Sequence, residues 1–331
     1  MALQFLFTAK SASEIYRVCQ GSIPRHVEAG GGSNKVLARI PPGKVSQGSI
    51  DYVVQFGQSK LADIIRRRAR EYSEFSVEYK TRFVGLKEES DFVNVESSTA
   101  DGKTKHYSAR FVVGCDGASS PVRKALDISF DGYTWNDWRF LAINIRYDFA
   151  KHGYPAANHV IDSEDWAVIV RASNVEVGLW RVATGIRTDV PVGEIEKHVA
   201  AKLERLLPGP RPLEYELVGL NPYWAHERVA KTFHSGRVIL CGDAAHINNP
   251  LTALGLTTGL VDVAYLSRLL PQAFTPQNAS SYPALLEKYS TLRRTDYIKN
   301  VQKFALEGKL RMHSTDKKVV AEREDFFKYV E

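Results

Sequence analysis

The chain has little cysteine, no long apolar run and no excess of one charge, and each shortage removes a class of protein. Three cysteines in 331 residues, Cys19, Cys115 and Cys241, are too few and too scattered for the disulfide framework of a small secreted domain. None sits at metal-ligand spacing. No apolar stretch approaches the roughly 20 residues that cross a bilayer, and the N-terminus lacks the basic start and cleavage site of a secretory signal. A cytoplasmic protein without a membrane span is expected. Lys and Arg number 44 against 38 Asp and Glu, a net charge of +6. The basic residues are scattered, with short clusters only at Arg66-Arg67-Arg68 and Arg293-Arg294, so no nucleic-acid groove is implied. Also missing is a G-x-G-x-x-G fingerprint. Gly30-Gly31-Gly32 has neither that spacing nor a convincing strand before it, and with Ser33 and Asn34 it reads as a flexible loop.

What is present is enough apolar material, 44% against 25% charged, to bury a sizeable core in one large or two modest domains. One stretch organises the rest. Gly236-Arg-Val-Ile-Leu-Cys-Gly-Asp-Ala-Ala-His-Ile-Asn-Asn-Pro250 begins with a short apolar run, Val238 to Cys241, bounded by glycines, which predicts a buried strand ending at Gly242 and Asp243. After a loop, Gly259 to Leu270 places Leu260, Val263, Ala264, Leu266 and Leu270 near helical spacing. Strand, loop and helix in that order make a place where an α/β fold binds ligands, beyond the carboxyl end of a strand and beside free helix N–H groups.

A second strand end precedes it. Residues 75–113 read as an antiparallel meander with a hairpin turn at Thr99-Ala-Asp-Gly102. Its last strand runs into Gly114-Cys-Asp-Gly-Ala-Ser-Ser-Pro-Val-Arg123, where Ser119, Ser120 and Pro121 suit a helix N-cap and first turn. Ahead of the meander, Val53 to Tyr72 turns from an extended segment into a helix with Leu61, Ile64, Ile65 and Ala69 inward and Gln58 at its start. The Gln58 amide suits either an ordinary helix end or a bound cofactor. Ser11 to Arg17 can be read as a capped helix. Residues 130–235 carry strands at 140–148, 167–171, 175–181 and 213–218, a helix at 191–207, and a concentration of tryptophans at 135, 138, 166 and 180. The aromatics there are either the core of an antiparallel sheet or the roof of a pocket. Pro283 to Phe304 reads as a helix, and 308–331 as a peripheral helix or charged tail.

The two strand-end segments resemble the "DG" and "GD" motifs of the FAD-dependent aromatic hydroxylases of the para-hydroxybenzoate hydroxylase type, the single-component flavoprotein monooxygenases. Gly57-Gln58 with Leu61 resembles a third position of that family, a glutamine at the flavin nucleotide. The resemblance runs from about residue 10 to 300. It implies an α/β fold: a truncated FAD-binding Rossmann-like domain with an interleaved antiparallel β-sheet substrate domain and a helical C-terminus. The parts would be 1–129 and 236–331 for the FAD-binding domain and 130–235 for the substrate domain. By resemblance, Gln58, Asp116, Gly117, Gly242, Asp243, Pro250, Gly255, Leu256 and Thr257 would contact FAD. Asp243 would accept sugar-chain hydroxyls, and the backbone of Gly255, Leu256 and Thr257 would face the ring. Trp180 and Arg181 would lie near substrate or NADPH. His246 is read as supporting its loop rather than relaying protons. The implied activity is NAD(P)H- and O2-dependent hydroxylation or epoxidation of a small aromatic, phenolic or polyketide-like substrate, with a dimer possible and no metal.

The sequence departs from the family in two places. The family's opening strand, glycine turn and helix are not seen, so the first βαβ unit is expected to be missing. Beside the ring position, Thr252-Ala253-Leu254-Gly255-Leu256-Thr257 puts threonines where the family commonly has a glycine and an amide. Two alternatives therefore stay open: a flavin-free derivative catalysing a non-redox cyclisation or isomerisation, and an inactive fragment from a misassigned gene start.

Overall fold

The computed structural model describes residues 27–31, 36–40, 58–172, 178–274 and 282–330. The expected helix at Ser11 to Arg17 and the extended segment before Gln58 lie outside them. In chain order the first elements are β1 (Val27–Gly31), β2 (Val36–Ile40), α1 (Gln58–Ala69), β3 (Thr81–Glu88), β4 (Val93–Thr99), β5 (Thr104–Ala109), β6 (Val112–Gly114) and α2 (Pro121–Ala125). There follow β7 (Phe130–Thr134), β8 (Trp138–Arg146), β9 (Ala157–Ile161), β10 (Ala167–Arg171), β11 (Leu179–Arg187), α3 (Ile195–Leu206) and β12 (Glu216–Tyr223). The last are β13 (His226–Ala230), β14 (His234–Ser235), β15 (Val238–Leu240), β16 (His246–Ile247), α4 (Leu254–Leu269), α5 (Tyr282–Asp296), α6 (Lys303–His313) and α7 (Lys317–Val330). The architecture is mixed α/β with antiparallel sheets and a helical C-terminus, as the sequence implies.

The chain divides into two compact units. Of the described residues, one contains those within 65–134 and 226–306, the other those within 27–64, 135–225 and 307–330. In the first unit β3, β4 and β5 form the expected meander, closed at 99–102 by a Gly102 N–H to Thr99 carbonyl bond of 3.0 Å. β6 and β15 pair in parallel with Val112 opposite Val238 and Gly114 opposite Leu240, and β14 lies on the other side of β15. Val238, Ile239 and Leu240 are all fully buried, against Leu266, Leu286, Tyr289 and Tyr297. A continuous three-residue apolar run is what a strand covered on both faces requires.

In the second unit a seven-stranded sheet runs in the order β12-β8-β11-β10-β9-β1-β2. Leu141, Ile143 and Ile145 of β8 alternate onto the same core as Ile169, Trp180 and Val182, and α3 covers it with Ile195, Val199, Leu203 and Leu206. That is the 3.6-residue stripe of α3 meeting the two-residue alternation of a sheet. Trp138, Trp166 and Trp180 are each at most 2% exposed, so these three tryptophans are core. Two expectations are corrected. Gly30 and Gly31 are not loop: they belong to β1, which pairs with β9 in parallel and with β2 antiparallel. The last strand of this region is Glu216–Tyr223 rather than 213–218. Among the described residues no helix is long and apolar enough to cross a membrane, and no group of His, Cys, Asp and Glu is placed to hold a metal ion.

Candidate functional site

The two strand ends singled out in the sequence are neighbours. Beyond the last paired residues of β6 and β15, the Cys241 N–H still bonds the Gly114 carbonyl at 3.0 Å, so the DG and GD turns leave the sheet side by side.

The DG turn is spent on starting a helix. Ser120 caps α2 by accepting from the Arg123 N–H at 2.9 Å, and Pro121 occupies the first turn, where its missing N–H costs nothing. The Asp116 carboxylate accepts from the Ser120 hydroxyl at 2.5 Å and the Val122 N–H at 2.9 Å, so both of its oxygens are engaged locally. Gly117 holds a left-handed backbone with φ +82°. Arg123 ties this turn to the next. Its guanidinium is buried, donates to the carbonyls of Ala118 and Ala244 at 2.9 Å each, and lies 3.8 Å over the Phe130 ring. Burial lowers its pKa from the ordinary arginine value.

The GD turn is a short 3-10 segment, Gly242–Ala244, laid on α4. Gly242 takes φ +61°, and a Cβ built on Gly259 would stand 3.4 Å from the Gly242 Cα. Glycine at both positions lets backbone rest on backbone and admits the positive φ at little cost. Beneath the turn lies a group that the sequence reading passed over. Asp262, on α4, is fully buried and accepts three hydrogen bonds: from the Gly242 N–H at 3.0 Å, from His246 Nε2 at 2.6 Å and from Arg293 Nε at 2.7 Å. A carboxylate can only accept here, so Nε2 of His246 carries the proton. His246 is 1% exposed and stacks on Tyr297 with ring centroids 4.5 Å apart, which gives it the supporting role expected. Tyr297 in turn donates to the Ile247 carbonyl at 2.6 Å.

A second buried acid steadies the Asn-Pro step. Glu227 accepts from the backbone and side-chain N–H groups of Asn249 at 3.0 and 2.6 Å, while Asn249 Oδ1 accepts from the Leu251 N–H. Pro250 then starts a 3-10 turn, and Ala253, with φ +55°, is the N-cap of α4. The helix thus begins at Leu254, five residues before the Gly259 start expected from the sequence, and Gly255, Leu256 and Thr257 are its first turn rather than a loop. Its buried stripe is Thr258, Asp262 and Leu266, one helical turn apart each time, instead of the stripe through Val263 and Ala264. The signal was available: an acid alone in the apolar run from Gly259 to Leu266.

Against this rigid background some groups are left open. Among the described residues the Asp243 carboxylate has no hydrogen-bond partner. Burial by the surrounding protein raises its pKa above the ordinary carboxylate value, with His246 pulling the other way. The N-cap Ala253 offers α4 no side-chain acceptor and the first turn contains no acid, which leaves backbone N–H groups and the positive end of the helix dipole for a ligand. The buried Thr252 hydroxyl has no partner among the described residues. A carboxylate free to accept hydroxyls beside a helix end free to meet an electron-rich ring suits the sugar chain and ring of a flavin. Thr252 itself sits in the 3-10 turn, and the left-handed position falls on Ala253.

The remaining sequence-selected residues belong to the second unit and are described there. Gln58 is exposed at the first position of α1. Trp180 is buried against Phe149 with ring centroids 4.8 Å apart, and Arg181 on the opposite face donates to Asn144 at 2.6 Å across the β8–β11 pair.

Comparison with known proteins gives the family. The FAD binding domain family matches residues 22–305. Para-nitrophenol 4-monooxygenase of Pseudomonas sp. (strain WBC-3) is 35% identical over 269 residues, covering 81% of this chain and 65% of the relative. The 6-hydroxy-3-succinoylpyridine 3-monooxygenase HspB of Pseudomonas putida is 31% identical over 254 residues, 76% of this chain and 62% of the relative. The chain thus spans just under two thirds of the length of these curated relatives. The crystal structure of p-nitrophenol 4-monooxygenase PnpA from Pseudomonas putida DLL-E4 superposes with a TM-score of 0.85 at 30% identity, covering 98% of this chain and 82% of that one. The chain belongs to the FAD binding domain family, that of the FAD-dependent aromatic monooxygenases.

Proposed function

We propose that the protein is an FAD-dependent monooxygenase that uses NAD(P)H and O2 to hydroxylate or epoxidise a phenolic or polyketide-like ring. The observation that carries this reading is the Asp243 carboxylate, without a hydrogen-bond partner among the described residues and held at the end of β15 by a turn whose own backbone is locked to Asp262. When bound, FAD would supply the two-electron chemistry, taking hydride from the nicotinamide and passing one oxygen atom to the aromatic ring.

The protein's part is to bind, orient and exclude water. Asp243 would accept hydroxyls of the ribityl chain, and hydroxyl donors would also stabilise its ionised form, which burial disfavours. The N–H groups of Leu254, Gly255 and Leu256 would face the pyrimidine edge of the ring. There the helix end favours negative charge by about 0.3–1 kcal/mol, and up to ~2 kcal/mol when partly buried. Pro250 and the exposed Leu256 side chain would edge the ring and shed water from it. Asp116 would act through the backbone it positions, since its carboxylate is occupied as a cap. Gln58, Trp180 and Arg181 remain proposed contacts for cofactor, substrate or NADPH.

The deciding experiment is a visible-absorbance titration of the purified chain with FAD, followed by NAD(P)H consumption with and without para-nitrophenol, the substrate named for two of the relatives. Saturable binding that Asp243→Ala weakens, with phenol-stimulated NAD(P)H consumption, supports the reading. A colourless chain whose spectrum does not change with added FAD overturns it in favour of a flavin-free role.

A further inference from the structure

The two strand ends bring two thiols together that the proposed chemistry does not use. Cys115 follows β6 and Cys241 follows β15, each one residue beyond the registered pair Gly114 and Leu240. The 3.0 Å bond from the Cys241 N–H to the Gly114 carbonyl keeps the parallel pairing intact at that point. Neighbouring strands lie about 4.8 Å apart, and residues in register point to the same face. This places the two Cα atoms inside the ~4.4–6.8 Å range that a disulfide spans. Cys115 is exposed and Cys241 is buried, both in the reduced state.

We propose that Cys115 and Cys241 are a reversible redox pair that a hydroperoxide closes into a disulfide, covalently tying the DG and GD turns. Exposure makes Cys115 the attacking sulfur. The neighbouring Cys241 side chain also draws the Cys115 pKa below the ordinary thiol value, and thiolate is the reactive form. With hydrogen peroxide as oxidant, the Cys115 thiolate attacks one oxygen and the O–O bond breaks. Cys115 becomes a sulfenic acid and hydroxide leaves, taking up a proton as water. Cys241 then attacks the Cys115 sulfur, its proton and the sulfenic hydroxyl leaving as a second water. Two thiols and one peroxide give one disulfide and two waters, with two electrons passed to oxygen. The neighbouring Cys115 and burial raise the Cys241 pKa above the ordinary thiol value while Cys115 is a thiolate. Conversion of Cys115 to a neutral sulfenic acid removes that negative neighbour and frees Cys241 to act. The inference needs no bound flavin.

The test is intact-mass and peptide mapping of the full chain carrying Cys19→Ser, so that only the pair remains, after native exposure to hydrogen peroxide. The expected product has lost two hydrogen atoms, contains a Cys115–Cys241 cross-linked peptide, and returns to the starting mass with dithiothreitol. In a Cys19→Ser/Cys241→Ser variant, Cys115 should be trapped by dimedone and should proceed to the sulfinic acid, gaining two oxygens. Oxygen uptake at Cys115 in the two-cysteine protein without loss of the two hydrogens overturns the proposal. So does a cross-link that forms only after denaturation.

Discussion

Removing the Asp262 carboxylate should cost more than any exposed site residue, because it satisfies three groups at once. In Asp262→Ala the buried Arg293 keeps its 2.5 Å contact with the partly exposed Asp296 and its place over the Tyr265 ring but loses its buried carboxylate, and the Gly242 N–H and His246 Nε2–H lose their acceptor. Breaking one side of a buried ion pair costs about 3–5 kcal/mol. An orphaned buried N–H adds about 1–3 kcal/mol, although the two losses share one site and do not sum. Against a total stability of about 5–15 kcal/mol, this leaves a marginal protein. The measurement is urea unfolding followed by tryptophan fluorescence. With a slope of about 2 kcal/mol per molar, a loss of ~4 kcal/mol lowers the midpoint by about 2 M. Asp262→Asn keeps the shape and one acceptor, and should lose about half as much. Because the damage comes from an uncompensated cation, Asp262→Ala combined with Arg293→Met should be more stable than Asp262→Ala alone. A single variant within about 1 kcal/mol of the parent, or a double variant that costs the sum of its parts, would refute this account of the turn.

Two further outcomes follow from the open end of the site. Folding raises the Asp243 pKa, so the native state binds the proton more tightly than the unfolded chain. The resulting stability is present at low pH and disappears as pH rises through the native value. Asp243→Asn should therefore melt higher than the parent at pH 7, with the gap closing towards pH ~4, near the ordinary carboxylate value. Thermal unfolding at the two pH values checks it, and a parent more stable than the variant at pH 7 would contradict it. Ala253 holds φ +55° with a Cβ, which costs about 1–2 kcal/mol, while glycine returns part of that as unfolded-chain entropy. Ala253→Gly should thus gain up to about 1 kcal/mol in denaturant unfolding. A loss would show that the strain lies elsewhere.

The sequence made some of the fold legible because local chemistry was sufficient there. Val238-Ile239-Leu240 between glycines can be little else than a covered strand, Thr99 to Gly102 is a turn by composition, and Ser120-Pro121 starts a helix without outside help. The beginning of α4 was misplaced because Thr252 and Gly255 are poor helix formers. The helix starts there only because the Asn249 cap and the left-handed Ala253 aim the chain into it. Gly30 and Gly31 read as loop because glycine has no side chain to favour a strand. Pairing with β9, far along the chain, decides otherwise.

By itself, then, the sequence determined that two strands end in aspartate-bearing turns, each with a helix behind it, and so the family. Only the tertiary structure decided what those aspartates do. Asp116 is consumed as a cap by residues four and six positions on, Asp243 is left without a partner among the described residues, and the fully buried carboxylate of Asp262 ties Gly242 and His246 of the GD turn to Arg293 of α5. The physical reason is that a hydrophobic pattern is local, whereas the partner that makes a buried charge tolerable is supplied from elsewhere in the chain.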